Sequence, residues 1–450
     1  MDIDYFQSTG FRIKELSLIS KTGVSYSLTA FYQELNIFDS ILHSCVTGNI
    51  LISDSAGLSN MFLFDGNDFL KIHIGKVDAD ILDIEKTFRI YKQSDRTFVN
   101  QNTEKYILHF ISEEFVTSIT QSVGPLDFEG TYSDMAEKVL KEHLKSDPKK
   151  ITNGQFDTSL GIKYQRMPEK IKAMDFLNEI AKLAVDEELR PCFLFYENLF
   201  GFNFVSLTNV LKNQAICTIN FNTKNLNANI SNDVDEFTSA RYFKVIQQYD
   251  LLSNIKNGVY SGKFIGHDKT TEQHLTLYYN FDTINHPMSP YNNGPAVSNP
   301  RTVYGELKDV DTASTLEEDS THIFASSTSD IENNTIDSFN SKIGYENISV
   351  RRKSIFANLF SQRVKLVIPG NFAVTSGVNV NLNVPKFSQK TNSEDNLDRT
   401  LHGHYLVIAC RHKLTPDNKH ETIFEACTNS SNKSDNRNTM ISSKNYENFA

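Results

Sequence analysis

The residues best suited to chemistry in this chain lie near its C-terminus. His402 and His404 stand two apart, so on a strand both side chains point the same way and could share an ion, with Cys410 and His412 following. Zinc sites draw closely paired ligands from two segments. Here His404 and His412 flank the apolar run Tyr405–Arg411, so the expectation is strand-edge histidines and no metal. Carboxylates cluster at Glu113-Glu114, Asp186-Glu187-Glu188 and Glu317-Glu318-Asp319. Glycoside hydrolysis needs two carboxylates facing each other across a cleft, and adjacent acids on one segment read as solvated surface. The run Gly258-Val-Tyr-Ser-Gly262 lacks the Lys-Ser/Thr ending and the following helix that phosphate cradling needs. A Gly-x-Ser-x-Gly nucleophile elbow is also missing. The expectation is no enzyme and no cofactor.

Charge points the same way. The net charge is −10, and Lys149-Lys150 and Arg351–Lys353 are the longest basic runs, both read as solvated patches. Nucleic-acid binding needs clustered cations, whereas an acidic surface suits a wall past which DNA slides without sticking. Five scattered cysteines, Cys45, Cys192, Cys217, Cys410 and Cys427, show no paired spacing and fit a reducing compartment. No apolar run approaches the roughly 18 residues of a membrane span, and the acidic start lacks a secretion-signal pattern. The expectation is a soluble protein made in the cytoplasm, with no membrane insertion.

The elements that position these residues are mostly strands. With 32 Phe and 18 Tyr, aromatics are abundant and favour a β-rich chain. Period-2 alternation is clearest in Phe69–Ile74 and Tyr106–Ile111, and the first unit is expected over residues 1–116. The period then changes. Thr131 followed by Asp134 marks a helix start, and a second helix begins near Pro168 with the stripe Ile171, Met174, Leu177, Ile180. A hairpin follows, Cys192–Tyr196 and Leu199–Leu207 about a turn at Glu197-Asn198, which makes 117–210 an α/β unit. Strands return over 211–266 and 346–430, with one helix at Ser349–Phe360. Between them, 267–345 reads as a polar insertion, and 431–450 as a flexible tail.

A faint internal echo links the two β regions. Phe38-Asp39, a spacer, Gly48 and a strand to Asp54 is matched by Tyr249-Asp250, a spacer, Gly258 and a strand to Asp268. The clearest local motif is Glu34–Leu42, then Thr47–Leu58, then Leu63–Ile74, a strand-turn meander. Gly48, Gly57 and Gly66 fall where the chain must turn or pack closely, and Asp54-Ser-Ala-Gly57 is good turn chemistry.

As a pattern, this meander resembles the opening of the central baseplate hub proteins of contractile-tailed phages of the T-even type. Further motifs follow in the family's order: Phe193–Phe204, Asn254–Gly258, Leu366–Gly377 with its turn at Gly370-Asn371 and Gly377, and His402–His412. The resemblance covers most of residues 11–430. It implies a mainly β, α+β chain with two tube-type β-barrel domains, an α/β domain and the polar insertion. Three copies would form a homotrimeric ring of near six-fold symmetry, adapting a six-fold tail tube to a three-fold central spike and lining the DNA passage. Its implied partners are itself, a separate spike protein, the tail tube initiator and the other baseplate (wedge) proteins, with DNA passing through unbound. Its implied place is the virion tail baseplate, assembled in the host cytoplasm. Two other readings stand beside it: a peripheral tail protein whose polar loops bind host-surface polysaccharide, and a hub with a hydrolase in the insertion.

Overall fold

The computed structural model describes residues 11–62, 64–76, 84–121, 126–161, 163–167, 170–221, 239–248, 250–256, 261–268, 274–280, 294–295, 322–327, 345–386, 397–398 and 400–431. Gly258, Tyr249 and the acids Glu317–Asp319 lie outside them.

The first strands are β1 (Phe11–Ile19), β2 (Ser25–Ser27), β3 (Tyr32–Ser40), β4 (Thr47–Asp54), β5 (Phe69–Lys76), β6 (Ile84–Asn100) and β7 (Thr103–Ser112), with a short α1 (Leu58–Met61) after β4. Their order in the sheet is β3-β4-β7-β6-β5-β1-β2, all antiparallel. Leu16 and Leu18 of β1 reach the same apolar core as Leu35 and Ile37 of β3. Strands at opposite ends of the run share one core, so the sheet must curl around it.

An α/β segment follows: α2 (Glu113–Thr120), β8 (Leu126–Gly130), α3 (Tyr132–Lys138), α4 (Pro148–Thr152), β9 (Lys163–Met167), α5 (Ala173–Leu183), β10 (Phe193–Glu197), β11 (Phe202–Ser206) and α6 (Leu207–Lys212). The Thr131 hydroxyl accepts from Asp134 N–H and the Asp134 carboxylate accepts back from Thr131 N–H, closing a capping box. The expected helix near Pro168 begins later, at Ala173, and β7 stops at Ser112 because Glu113 opens a helix. In β10, alternate residues serve two cores: Phe193 and Phe195 pack with α3 and α5, Leu194 and Tyr196 with the far β region.

The second β region holds β12 (Thr218–Asn220), β13 (Tyr242–Gln247), α7 (Leu251–Lys256), β14 (Ser261–Asp268), β15 (His274–Asn280), β16 (Gly294–Pro295), β17 (His322–Ser327), α8 (Tyr345–Leu359), β18 (Gln362–Pro369), β19 (Asn379–Asn383), β20 (Gly403–Leu414), β21 (His420–Thr428) and β22 (Ser430–Ser431). β14, β15 and β17 form a separate three-stranded sheet that reaches into 267–345. β12, β13, β18, β19, β20 and β21 surround a second core.

The two curls are one 13-stranded sheet, and β20 joins them. Its first residues pair with β19 and, after an irregularity between Val407 and Ala409, residues Ala409–Leu414 pair with β3. Such a bulge bends a strand and re-aims its edge. The fold is therefore mainly antiparallel β, and hydrogen bonds among the described residues close no barrel. The echo is not matched locally: Phe38-Asp39 sits inside β3, whereas Asp250 precedes α7 and accepts from Ser253 N–H. Among the described residues, no helix is long and apolar enough to cross a membrane.

Candidate functional site

The structure brings the sequence motifs together at a buried clasp between the curls and the β10–β11 hairpin. Asp39 in β3 accepts hydrogen bonds from the Thr375 hydroxyl and from Ser376 N–H at 2.9 Å, both in the loop after β18. Asn198, in the hairpin turn, donates to Ser376 O at 3.2 Å, and Leu199 N–H donates to Thr375 Oγ1 at 3.4 Å. Gly377 has φ 85° and touches the hairpin so closely that a Cβ there would overlap the Tyr196 hydroxyl. Gly370 lies against the His420 ring and donates its N–H to His420 O, while Asn371 N–H donates to Thr422 Oγ1. The motif 366–377 is thus a connector.

The other expected turn residues divide. Asp54, buried at the end of β4, accepts from the backbone N–H groups of Ala56, Gly57 and Ser59 and so organises the turn and α1. Gly57 and Gly66 have positive φ and serve as turn glycines. Gly48 lies within β4, where a Cβ would overlap the Phe110 ring and the Asn36 carbonyl, so its role is close packing.

Beside the clasp lies an ionic cluster that the motif search overlooked. Glu197, fully buried at the end of β10, accepts from Val46 N–H, the Ser112 hydroxyl and the Lys86 ammonium, and pairs with Lys150 at 3.3 Å. Lys150 also binds Glu114 at 2.7 Å. Burial pushes the Glu197 carboxyl up, but the Lys150 and Lys86 ammoniums outweigh it and hold it at about 2. Burial drives Lys86 down, an effect only partly offset by Glu197. Three surface expectations are therefore corrected. Glu114 is buried and pairs with the half-buried Lys150, Asp186 is buried against Arg190, and Arg352 is half-buried while donating to Ala181 O and Pro191 O. Each meets an opposite charge or an orphan carbonyl, which makes burial tolerable.

One of the strand-edge histidines, His412, is corrected as well, whereas His404 is exposed at the start of β20. His412 is fully buried, with Nδ1 3.1 Å from His420 Nε2 and Nε2 3.4 Å from Cys410 Sγ, and Phe372 stacks on His420 at 4.1 Å. Burial holds His412 neutral, down at about 3, and keeps the Cys410 thiol protonated. A buried, protonated thiol beside neutral imidazoles makes no nucleophile. No metal-ligating group of three or more His, Cys, Asp or Glu occurs among the described residues.

Asp39 supplies a pH prediction. Burial raises its carboxyl to about 6, against its two hydrogen bonds, from an ordinary 3.8. A raised carboxyl contributes stability below the unfolded value and loses it as pH rises through the folded one. Glu197 is the reverse: its contribution is complete above 4.5 and lost as pH falls toward 2. From pH 4 to 6.5, the unfolding free energy of the wild type in urea titrations is therefore expected to fall relative to that of Asp39→Asn, by up to about 3 kcal/mol. Parallel curves over that window would contradict this placement.

The sheet also presents a face turned away from the two curled cores, and its charges are largely paired across strands. Arg363 meets Glu425 at 2.9 Å, Arg411 and Lys413 both meet Glu34 at 3.2 Å, and Lys71 meets Glu15 at 2.8 Å and Glu85 at 3.2 Å. Where β20 changes partner, a cleft of about 500 Å³ opens on this face, floored by Phe38, Val367, Ala409 and Ile423. The arrangement offers walls, clasps and a groove; its titratable groups are paired, buried neutral or solvated.

No protein-family model matches the sequence, and no curated protein matches it. Solved structures do match in three dimensions. A tail protein from Neisseria meningitidis MC58 aligns over 93% of this chain and 96% of its own, at 10% identity and a TM-score of 0.50. The 43 kDa tail protein of prophage MuSo2 from Shewanella oneidensis aligns over 92% and 97%, at 9% identity and a TM-score of 0.51. At these identities the likeness is one of fold, and it runs nearly end to end.

Proposed function

We propose that the chain is a non-catalytic structural subunit of a phage-type tail, and more narrowly the central baseplate hub. In this reading three copies form a ring that joins a six-fold tube to a three-fold spike and lets DNA pass. The single observation that carries it is the near-complete match of this fold to two tail proteins. A seven-stranded and a six-stranded curl joined through one strand give each copy a pair of comparable β units, and three such pairs supply six positions around an axis. The paired charges of the outward face suit a passage wall, because cations already matched to carboxylates displace few counterions from a polyanion. The spike, the tube initiator and the wedge proteins are the partners of this reading.

The test is assembly. Light scattering is expected to give a trimer, alone or with its spike protein, and negative-stain images a ring with a central channel. A stable monomer that binds bacterial polysaccharide would sink the reading, and loss of turbidity from purified peptidoglycan would move it toward a hydrolase.

A further inference from the structure

The cleft beneath the β20 partner switch is more than a gap between strands. Two rows of register partners reach it, the second continuing past its lining to Lys244 at its margin. One runs Phe38, Arg411, Ile423, Val367 and Tyr242, apolar apart from Arg411. In the next row, Lys365 stands between Glu425 and Lys244. Lys244 and Lys365 are directly opposite each other, and like charges in that position destabilise a strand pair. The nearest carboxylate, Glu425, is taken by Arg363 at 2.9 Å. Among the described residues, the ammoniums of Lys365 and Lys244 have no hydrogen-bond or ion-pair partner. On a face where most other cations are matched, an unmatched pair beside an apolar floor is an unfilled requirement for negative charge.

We propose that this cleft binds an extended acidic peptide segment of a partner protein, one carboxylate set between Lys244 and Lys365 and a neighbouring apolar side chain on Phe38, Val367 and Ile423. The size fits: about 500 Å³ holds a few side chains. The surroundings disfavour a nucleic-acid strand. Glu425, Glu421 and Glu34 lie on the same face, and a polyanion needs a continuous basic track that two lysines do not make. A strand-like peptide alternates its side chains, so acidic and apolar residues in alternation match charged and apolar rows. This inference does not rest on the ring reading; it holds for a monomer as well.

The experiment is fluorescence polarisation on the full chain, with a fluorescein-labelled octapeptide of alternating Leu and Glu as probe. Binding is expected for the wild type and for Lys365→Arg, and is expected to weaken about tenfold or more in the Lys244→Ala/Lys365→Ala double variant. Both lysines project from the sheet face, and circular dichroism checks that the double variant stays folded. Lys105→Ala, on the same face but outside the cleft, is expected to leave affinity unchanged. The proposal is overturned by failure of the wild type to bind, by equal binding of the double variant, by equal binding of a Leu-Lys probe, or by displacement of the probe with a thymidine dodecamer at equal concentration.

Discussion

Replacing Glu197 with alanine is expected to destabilise the protein by about 3–5 kcal/mol, the usual cost of removing one member of a buried ion pair. The reason lies in what would remain. Lys86 is on the core side of β6, in line with Ile84, Phe88 and Ile90, and among the described residues Glu197 is its only carboxylate partner within salt-bridge distance. Lys150 would keep Glu114, but Val46 N–H and the Ser112 hydroxyl would lose their common acceptor. A lone ammonium in that position must lose its proton or draw water in. Urea unfolding followed by circular dichroism measures the effect. The double variant Lys86→Met/Glu197→Leu is expected to recover most of the loss, because an apolar pair of similar volume removes the charge that needed a partner. If the single variant unfolds within about 1 kcal/mol of the wild type, the cluster is not desolvated as described.

The second large effect is expected at Gly48. Its neighbours across the ladder are Ile37 in β3 and Phe110 in β7. A valine Cβ would enter the space of the Phe110 ring and the Asn36 carbonyl. A ring could rotate away, but a carbonyl held in a ladder cannot move without breaking pairing. The loss is therefore expected to exceed the roughly 1–3 kcal/mol of ordinary overpacking, and to appear as insoluble or unassembled protein. Gly57→Asn is the informative contrast. Open space surrounds Gly57, and asparagine tolerates its φ of 77°, so a change under about 1 kcal/mol is expected. If Gly48→Val assembles normally, β3, β4 and β7 are not packed as described.

Much of this fold was legible in the sequence, for identifiable reasons. Tyr106–Ile111 alternates cleanly because one face of β7 is fully buried, and Thr131 with Asp134 formed the capping box expected of that spacing. The hairpin after Pro191 is where the sequence puts it, but its turn is shifted: Glu197, expected in the turn, ends β10, and the turn runs over Asn198–Gly201. The ionic cluster was not found, because single charges in different segments show no spacing rule. Its one trace was local: Lys86 interrupts the apolar phase of Ile84, Phe88 and Ile90, and Glu197 ends an apolar run. Reading adjacent acids as solvated failed at Glu114 and Asp186 because sequence adjacency hides the partner that makes burial tolerable. His412 was misplaced for the same reason. Its neighbours His420 and Phe372 come from a different strand and a loop.

The strand shared by both curls also sets a schedule. Ser40 Oγ donates to Ile408 O, and β3 completes its ladder only against Ala409–Leu414. Leu414 is itself part of the first core. At ribosomal rates of roughly 5–20 residues per second, the N-terminal curl emerges and then waits roughly 15–60 seconds with one edge bare. A bare edge invites pairing with other nascent chains. Ribosomes translating this message therefore hold, for most of each round, a half-finished sheet whose last strand has yet to be made.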